Sequence, residues 1–167
     1  FILPRYYDEI AIHSVIDRGL ADAAKNAAPL SLLVLTVDNM EDLRRSLSPE
    51  ELETIFRRIR EEVGTRVLRK GDCIEEYPTQ SAFLILVQSG AEGASSVRRR
   101  MQSRLEDLFR DWPSVRPALS AGLAIYPDHA GLISAAGASI AGVSDAGQRP
   151  ALLKHAFDNA EPLLAGT

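Results

Sequence analysis

The stretch Arg69–Val87, RKGDCIEEYPTQSAFLILV, decides how the chain is laid out. Residues 82–88 are mostly aliphatic, residues 72–77 carry Cys73, Ile74 and Tyr77, and the turn Pro78-Thr79-Gln80-Ser81 parts them, so the two stretches read as strands of a hairpin. Upstream, Ser48-Pro49-Glu50-Glu51 supplies an N-cap serine, a proline at the first helical position and a glutamate at the third. Leu52, Ile55, Phe56, Ile59 and Val63 follow as one apolar stripe, giving a helix over 49–64. The run PLSLLVLTVD (29–38) reads as a buried central strand. Downstream, Ala94, Val97, Met101, Leu105, Leu108 and Phe109 mark a helix ended by Trp112-Pro113, and ALSAGLAIYP (118–127) reads as a strand of small and apolar residues.

From residue 31 to 126 the order is β-α-β-β-α-β. Two helical crossovers around a central hairpin give an α+β, ferredoxin-like core: an antiparallel sheet with both helices on one face. Terminal helices are added to it. Tyr6, Tyr7, Ile10, Val15, Ile16 and Leu20 predict an amphipathic helix over 5–26, residues 130–147 are at best a weak helix, and a last helix spans about 149–164, with Leu152 to Leu164 as its apolar part. No internal repeat and no second domain is evident, so residues 1–167 are read as a single domain.

Composition narrows the function. The chain has 167 residues, 46% hydrophobic and 25% charged, which suits one globular core. A net charge of −4 and a pI near 5.4 argue against a nucleic-acid binder that works by bulk charge. The lone Cys73 cannot form an internal disulfide, which favours a reducing compartment such as the cytoplasm. No apolar run reaches membrane-spanning length, so no membrane contact is expected of this domain. The chain begins at Phe1 without methionine and is read as a domain cut from a longer, multidomain or membrane-anchored parent.

Over residues 5–147 the chain resembles the GGDEF family, the domain of bacterial diguanylate cyclases. PLSLLVLTVDNMEDL looks like the family's first strand and its metal-binding end, SPEELETIFRRI like the helix after it, and RKGD with strand, turn and FLIL like the inhibitory-site motif and signature hairpin. ASSVRRRM is similar to the next helix, LSAGLAIYP to the following strand, and LISAAGASIAGVSDAG keeps the spacing of the closing helix. The resemblance implies the GGDEF, nucleotidyl-cyclase-like version of the α+β core.

At the family's catalytic positions the chain departs from the pattern. The signature turn is Thr79-Gln80-Ser81-Ala82, with Pro78 added, so the glycines that admit a triphosphate and the acids that hold Mg²⁺ are gone. Thr36 stands for the first acid of the metal-binding pair, leaving Asp38, and Glu41 stands for a lysine. Arg44 and Glu53 fall where the family reads guanine with asparagine and aspartate, and Ser144 replaces a late lysine. Phosphoryl transfer relies on hard, carboxylate-held metal to neutralise developing charge. The resemblance therefore implies a degenerate domain with no catalytic residues, no metal site, no cofactor and no cyclase activity.

What it retains is the family's inhibitory site, where an Arg-x-x-Asp motif binds cyclic di-GMP. Arg69-Lys70-Gly71-Asp72 occupies that place. A guanidinium can donate two bonds to the O6/N7 edge of guanine, and a carboxylate can accept from its N1–H and N2–H. Gly71 would let a ligand lie close to the backbone. The family adds an arginine from the following helix, which the Ala94/Val97/Met101 register places at Arg100, with Arg98 and Arg99 on other, solvated faces. The implied function is a cyclic di-GMP receptor, resembling those of exopolysaccharide systems such as Pel and cellulose. Its ligand is a stacked dimer of cyclic di-GMP, and it signals to a protein partner or a neighbouring domain in control of exopolysaccharide or biofilm.

Blander readings stand beside this one. Arg-x-x-Asp can be a solvated loop, in which case the chain is an interaction scaffold that binds no nucleotide and works through its C-terminal helix; residual GTP binding without turnover is a third reading. Cys73, at the start of an apolar strand with no activating neighbour, is read as core rather than nucleophile. His13, His129 and His155 share no metal-ligand spacing, and Trp112 is read as a cover over the core.

Overall fold

The computed structural model describes residues 3–128 and 145–166. The element order is α1 (Leu3–Lys25), β1 (Leu30–Val37), α2 (Met40–Ser46), α3 (Pro49–Arg66), β2 (Cys73–Tyr77), β3 (Ala82–Val87), α4 (Ala91–Phe109), β4 (Leu119–Tyr126), α5 (Asp145–Asp158) and β5 (Glu161–Leu164). The strands form one sheet in the order β2-β3-β1-β4-β5, with every neighbouring pair antiparallel. The expected α+β core is present, extended by a fifth strand.

The sheet buries both faces. Leu33, Leu35 and Val37 of β1 and Phe83, Ile85 and Val87 of β3 point to one side, against Ile55, Ile59 and Val63 of α3 and Val97, Met101 and Leu105 of α4. Leu30, Leu32 and Val34 with Ala82, Leu84 and Leu86 point to the other, against Ile12, Ile16 and Leu20 of α1 and Leu152 and Ala156 of α5. This double cover explains why β1 and β3 read as continuous apolar runs rather than alternating ones, since neither face meets water. The two core helices share one face, as expected, and the terminal helices cover the other.

Local signals fixed the main elements. At α3 the Ser48 side chain accepts from the Glu51 amide at 3.1 Å while Glu51 accepts from the Ser48 amide at 3.0 Å, a complete capping box followed by Pro49. At β4, a Cβ on Gly122 would lie 1.8 Å from the Ala156 carbonyl oxygen. The small residues of this strand are what let α5 lie on the sheet.

Two elements depart from the sequence reading. Helix α2 fills a segment with no predicted element, its Leu43 fully buried. The last helix ends at Asp158, not Leu164, and Glu161–Leu164 instead pairs with β4 as an edge strand. Pro162 cannot continue a helix without losing a hydrogen bond and clashing with the preceding turn, whereas an edge strand tolerates it. Arg98 and Gln102 of α4 donate to the Pro162 and Leu163 carbonyls at 3.5 and 3.2 Å, and Leu163 is buried, so the segment gains more as strand than as helix. Most of the weak-helix segment 130–147, with Ser144, and also His129, lies outside the described residues; α5 takes up its last three positions.

No helix among the described residues is long and apolar enough to cross a membrane.

Candidate functional site

Arg69, Lys70, Gly71 and Asp72 form the turn that carries the chain from α3 into β2. The Asp72 amide donates to the Arg69 carbonyl at 3.0 Å, closing a four-residue turn. Gly71 sits at its third position with φ +96°, the left-handed backbone that such turns reserve for glycine. A Cβ there would also approach the Gln88 side-chain oxygen to 2.9 Å. Gly71 therefore makes the turn, a role beside the ligand approach expected from the sequence.

The Asp72 carboxylate is held from two directions. One oxygen accepts from the Arg69 amide at 3.1 Å, the other from the Gln88 amide at 2.9 Å, at the far end of the hairpin. Each oxygen keeps lone-pair capacity for a further donor. The Arg69 side chain is exposed and makes no hydrogen bond or ion pair with the described residues. Together with Lys70, Val87, Ser89, Gly93 and Val97, the turn borders a hollow of about 130 Å³ beside the start of α4.

Arg100 lies on the face of α4 that its register predicts, next to this loop. Its guanidinium, however, donates to the Val67 carbonyl at 2.9 Å and the Ser96 hydroxyl at 2.8 Å, and it does not line the hollow. Arg99 is exposed as expected, while Arg98, expected in water, reaches the Pro162 carbonyl. Sequence reasoning missed Gln88, Ser89 and Gly93. The signal was in the hairpin itself, because the Cys73↔Leu86 register sets Gln88 opposite the 69–72 turn.

The segments matched to the family's catalytic region surround a second, larger cleft of about 420 Å³. Met40, Arg44, Leu52, Glu53, Phe56, Arg57, Arg60, Glu76, Pro78 and Ser81 are among its walls, so Arg44 and Glu53 share one cavity. Thr79 and Gln80 of the turn are exposed, and Ser81 adopts a left-handed conformation at φ 49°. The Asp38 carboxylate accepts from the Thr36 hydroxyl at 2.9 Å and from the Ser120 hydroxyl at 2.5 Å. Among the described residues, no three His, Cys, Asp or Glu side chains converge as metal ligands.

Cys73 is half-buried; burial, reinforced by the Glu75 charge, pushes its thiol pKa up. That agrees with a structural rather than nucleophilic residue.

The five-stranded antiparallel sheet with two helices on one face and terminal helices on the other is matched in solved structures. The fold is that of GGDEF domains. The GGDEF domain of TpbB (YfiN) from Pseudomonas aeruginosa superposes with a TM-score of 0.61 at 19% identity, over 89% of this chain and 85% of that one. A microbial GGDEF domain described with cyclic di-GMP gives 0.64 at 19% identity, over 90% and 82%. The GGDEF domain of DgcB from Caulobacter crescentus, in complex with cyclic di-GMP, gives 0.58 at 17% identity, over 77% and 85%. No protein-family model matches the sequence, and no curated protein does.

Proposed function

We propose that this GGDEF-fold domain is a catalytically inactive receptor for cyclic di-GMP, binding at the 69–72 turn and signalling to a protein partner or neighbouring domain. The observation that carries the reading is the pairing of a fixed carboxylate with a free guanidinium. Asp72 is held by two backbone amides, and Arg69 stands beside it with no competing partner among the described residues. Guanine presents donors on one edge and acceptors on another, so a fixed acceptor and a mobile two-pronged donor suit it. Exposed Arg69 and Lys70 add positive charge for the ligand's phosphates. Two structures of the same fold are described with cyclic di-GMP. Arg100 serves this site by holding the loop through Val67, and three of its five N–H donors remain for a ligand.

The cleft's chemistry supports the reading that cyclase activity is lost. Asp38, which accepts from the hydroxyls of Thr36 and Ser120, is the one acid left of the metal-binding pair, and a lone carboxylate is a poor substitute for two in holding Mg²⁺. Incubation with GTP and Mg²⁺ or Mn²⁺, followed by chromatography, is expected to yield no cyclic di-GMP.

Calorimetry with cyclic di-GMP tests the receptor reading. A micromolar dissociation constant, on the order of −8 kcal/mol, is expected, with two stacked ligand molecules per site. Arg69→Ala and Asp72→Ala each remove a charged hydrogen-bonding group, worth ~1.5–3 kcal/mol, so affinity should fall at least about ten-fold. Arg99→Ala should bind like the parent. A flat titration of the folded parent protein would favour a scaffold that binds no nucleotide, and equal binding by Arg69→Ala would move the ligand elsewhere.

A further inference from the structure

The cleft of about 420 Å³ between α2, α3 and the hairpin is left without a role by the receptor reading, yet it is the larger of the two hollows and differs from the 69–72 site in chemistry. Its size lies within the range of pockets that enclose small organic ligands, roughly 300–1,000 Å³. Apolar side chains make much of the wall: Met40, Leu52, Phe56 and Pro78. The Phe56 ring packs on the buried Phe83 ring at a centroid distance of 5.3 Å, which fixes its orientation.

The charges in the wall are not balanced. Arg60 and Glu76 pair at 2.6 Å and largely neutralise one another. Arg44 forms no hydrogen bond or ion pair with the described residues. Arg57 has only Glu61 at 3.8 Å, one turn along α3 with both side chains more than half exposed, a contact worth little. Against these two available guanidinium groups stands Glu53 alone. A triphosphate, with about four negative charges, exceeds what this wall can neutralise; a single anionic group does not. Guanidinium matches a planar carboxylate or a sulfonate with parallel hydrogen bonds and also stacks on aromatic faces.

We infer that this cleft is a binding site for a small organic monoanion with an aromatic or alicyclic body, such as an aryl carboxylate. The body lies on Phe56, Leu52 and Pro78, and the anionic group meets Arg44 and Arg57. The site is separate from the 69–72 turn, so the domain carries a second ligand input.

Anilinonaphthalene sulfonate, an aryl monoanion of suitable size, is the probe. Fluorescence titration of the intact domain is expected to saturate with one site and to weaken at least ten-fold in Arg44→Glu and in Arg57→Glu. Arg99→Glu, outside the cleft, should titrate like the parent, and uncharged N-phenylnaphthylamine should bind at least ten-fold more weakly than the sulfonate. Circular dichroism confirms that each variant is folded; Arg44 and Arg57 are exposed, so folding should persist. Non-saturating fluorescence, unchanged affinity in Arg44→Glu, or equal binding of the uncharged probe would overturn the site. None of these readouts depends on cyclic di-GMP, so the two proposals stand or fall separately.

Discussion

At the residue scale, the 69–72 turn has a structural role, and the proposed receptor function would draw on the same groups. Its acid anchors the backbone of the turn to the end of the hairpin, and the same anchoring presents the carboxylate. Gly71→Ala tests the structural half. The Gln88 side chain that a Cβ would meet is flexible and exposed, so the steric cost is small; the positive φ dominates, at roughly 1–2 kcal/mol. Urea denaturation should report that loss, and calorimetry should report weaker cyclic di-GMP binding as the turn relaxes. Cys73 gives a second residue-scale expectation. A thiol whose pKa is raised stays protonated at neutral pH, so alkylation by iodoacetamide should be slow there and should accelerate only at a pH above that of an ordinary thiol. The Arg-x-x-Asp motif could be read from the sequence because its four residues are contiguous. The commitment of Arg100 to Val67 could not, because it depends on how α4 lies against the end of α3.

At the scale of elements, legibility followed length and locality. Helices α3 and α4 announce themselves by three or more turns of apolar periodicity, and α3 adds a capping box that closes without tertiary help. Ser48→Ala should remove one arm of that box and cost ~0.5–2 kcal/mol in chemical denaturation, with the cleft residues Glu53, Phe56 and Arg57 carried on the same helix. Helix α2 has two turns and one buried leucine, too little for a periodic signal. Strand β5 has four residues and forms because β4 offers an unpaired edge and α4 offers side-chain donors. Neither partner is near it in sequence.

For the whole molecule, the decisive feature is a sheet covered on both sides. Ile59 belongs to one core, Leu152 to the other, and both are almost fully buried. Leu152→Ala should cost ~2–5 kcal/mol, as much as Ile59→Ala, because each leaves a cavity in a closed layer. Fluorescence and circular dichroism should follow one coincident urea transition in both variants; a separate early transition in Leu152→Ala would mean that the α1–α5 layer is an independent unit. The amino-acid sequence alone was enough for the β-α-β-β-α-β order of the core, the hairpin and the turn motif ahead of it, since these rest on periodicity, capping and turn chemistry within short windows. Long-range packing settled that the terminal helices seal the second face and that the described chain's last strand joins the sheet. It also decided that Arg44, Arg57 and Phe56 converge on one cleft. Those outcomes depend on contacts between segments far apart in the chain, where burial and hydrogen-bond demand override what any local stretch prefers.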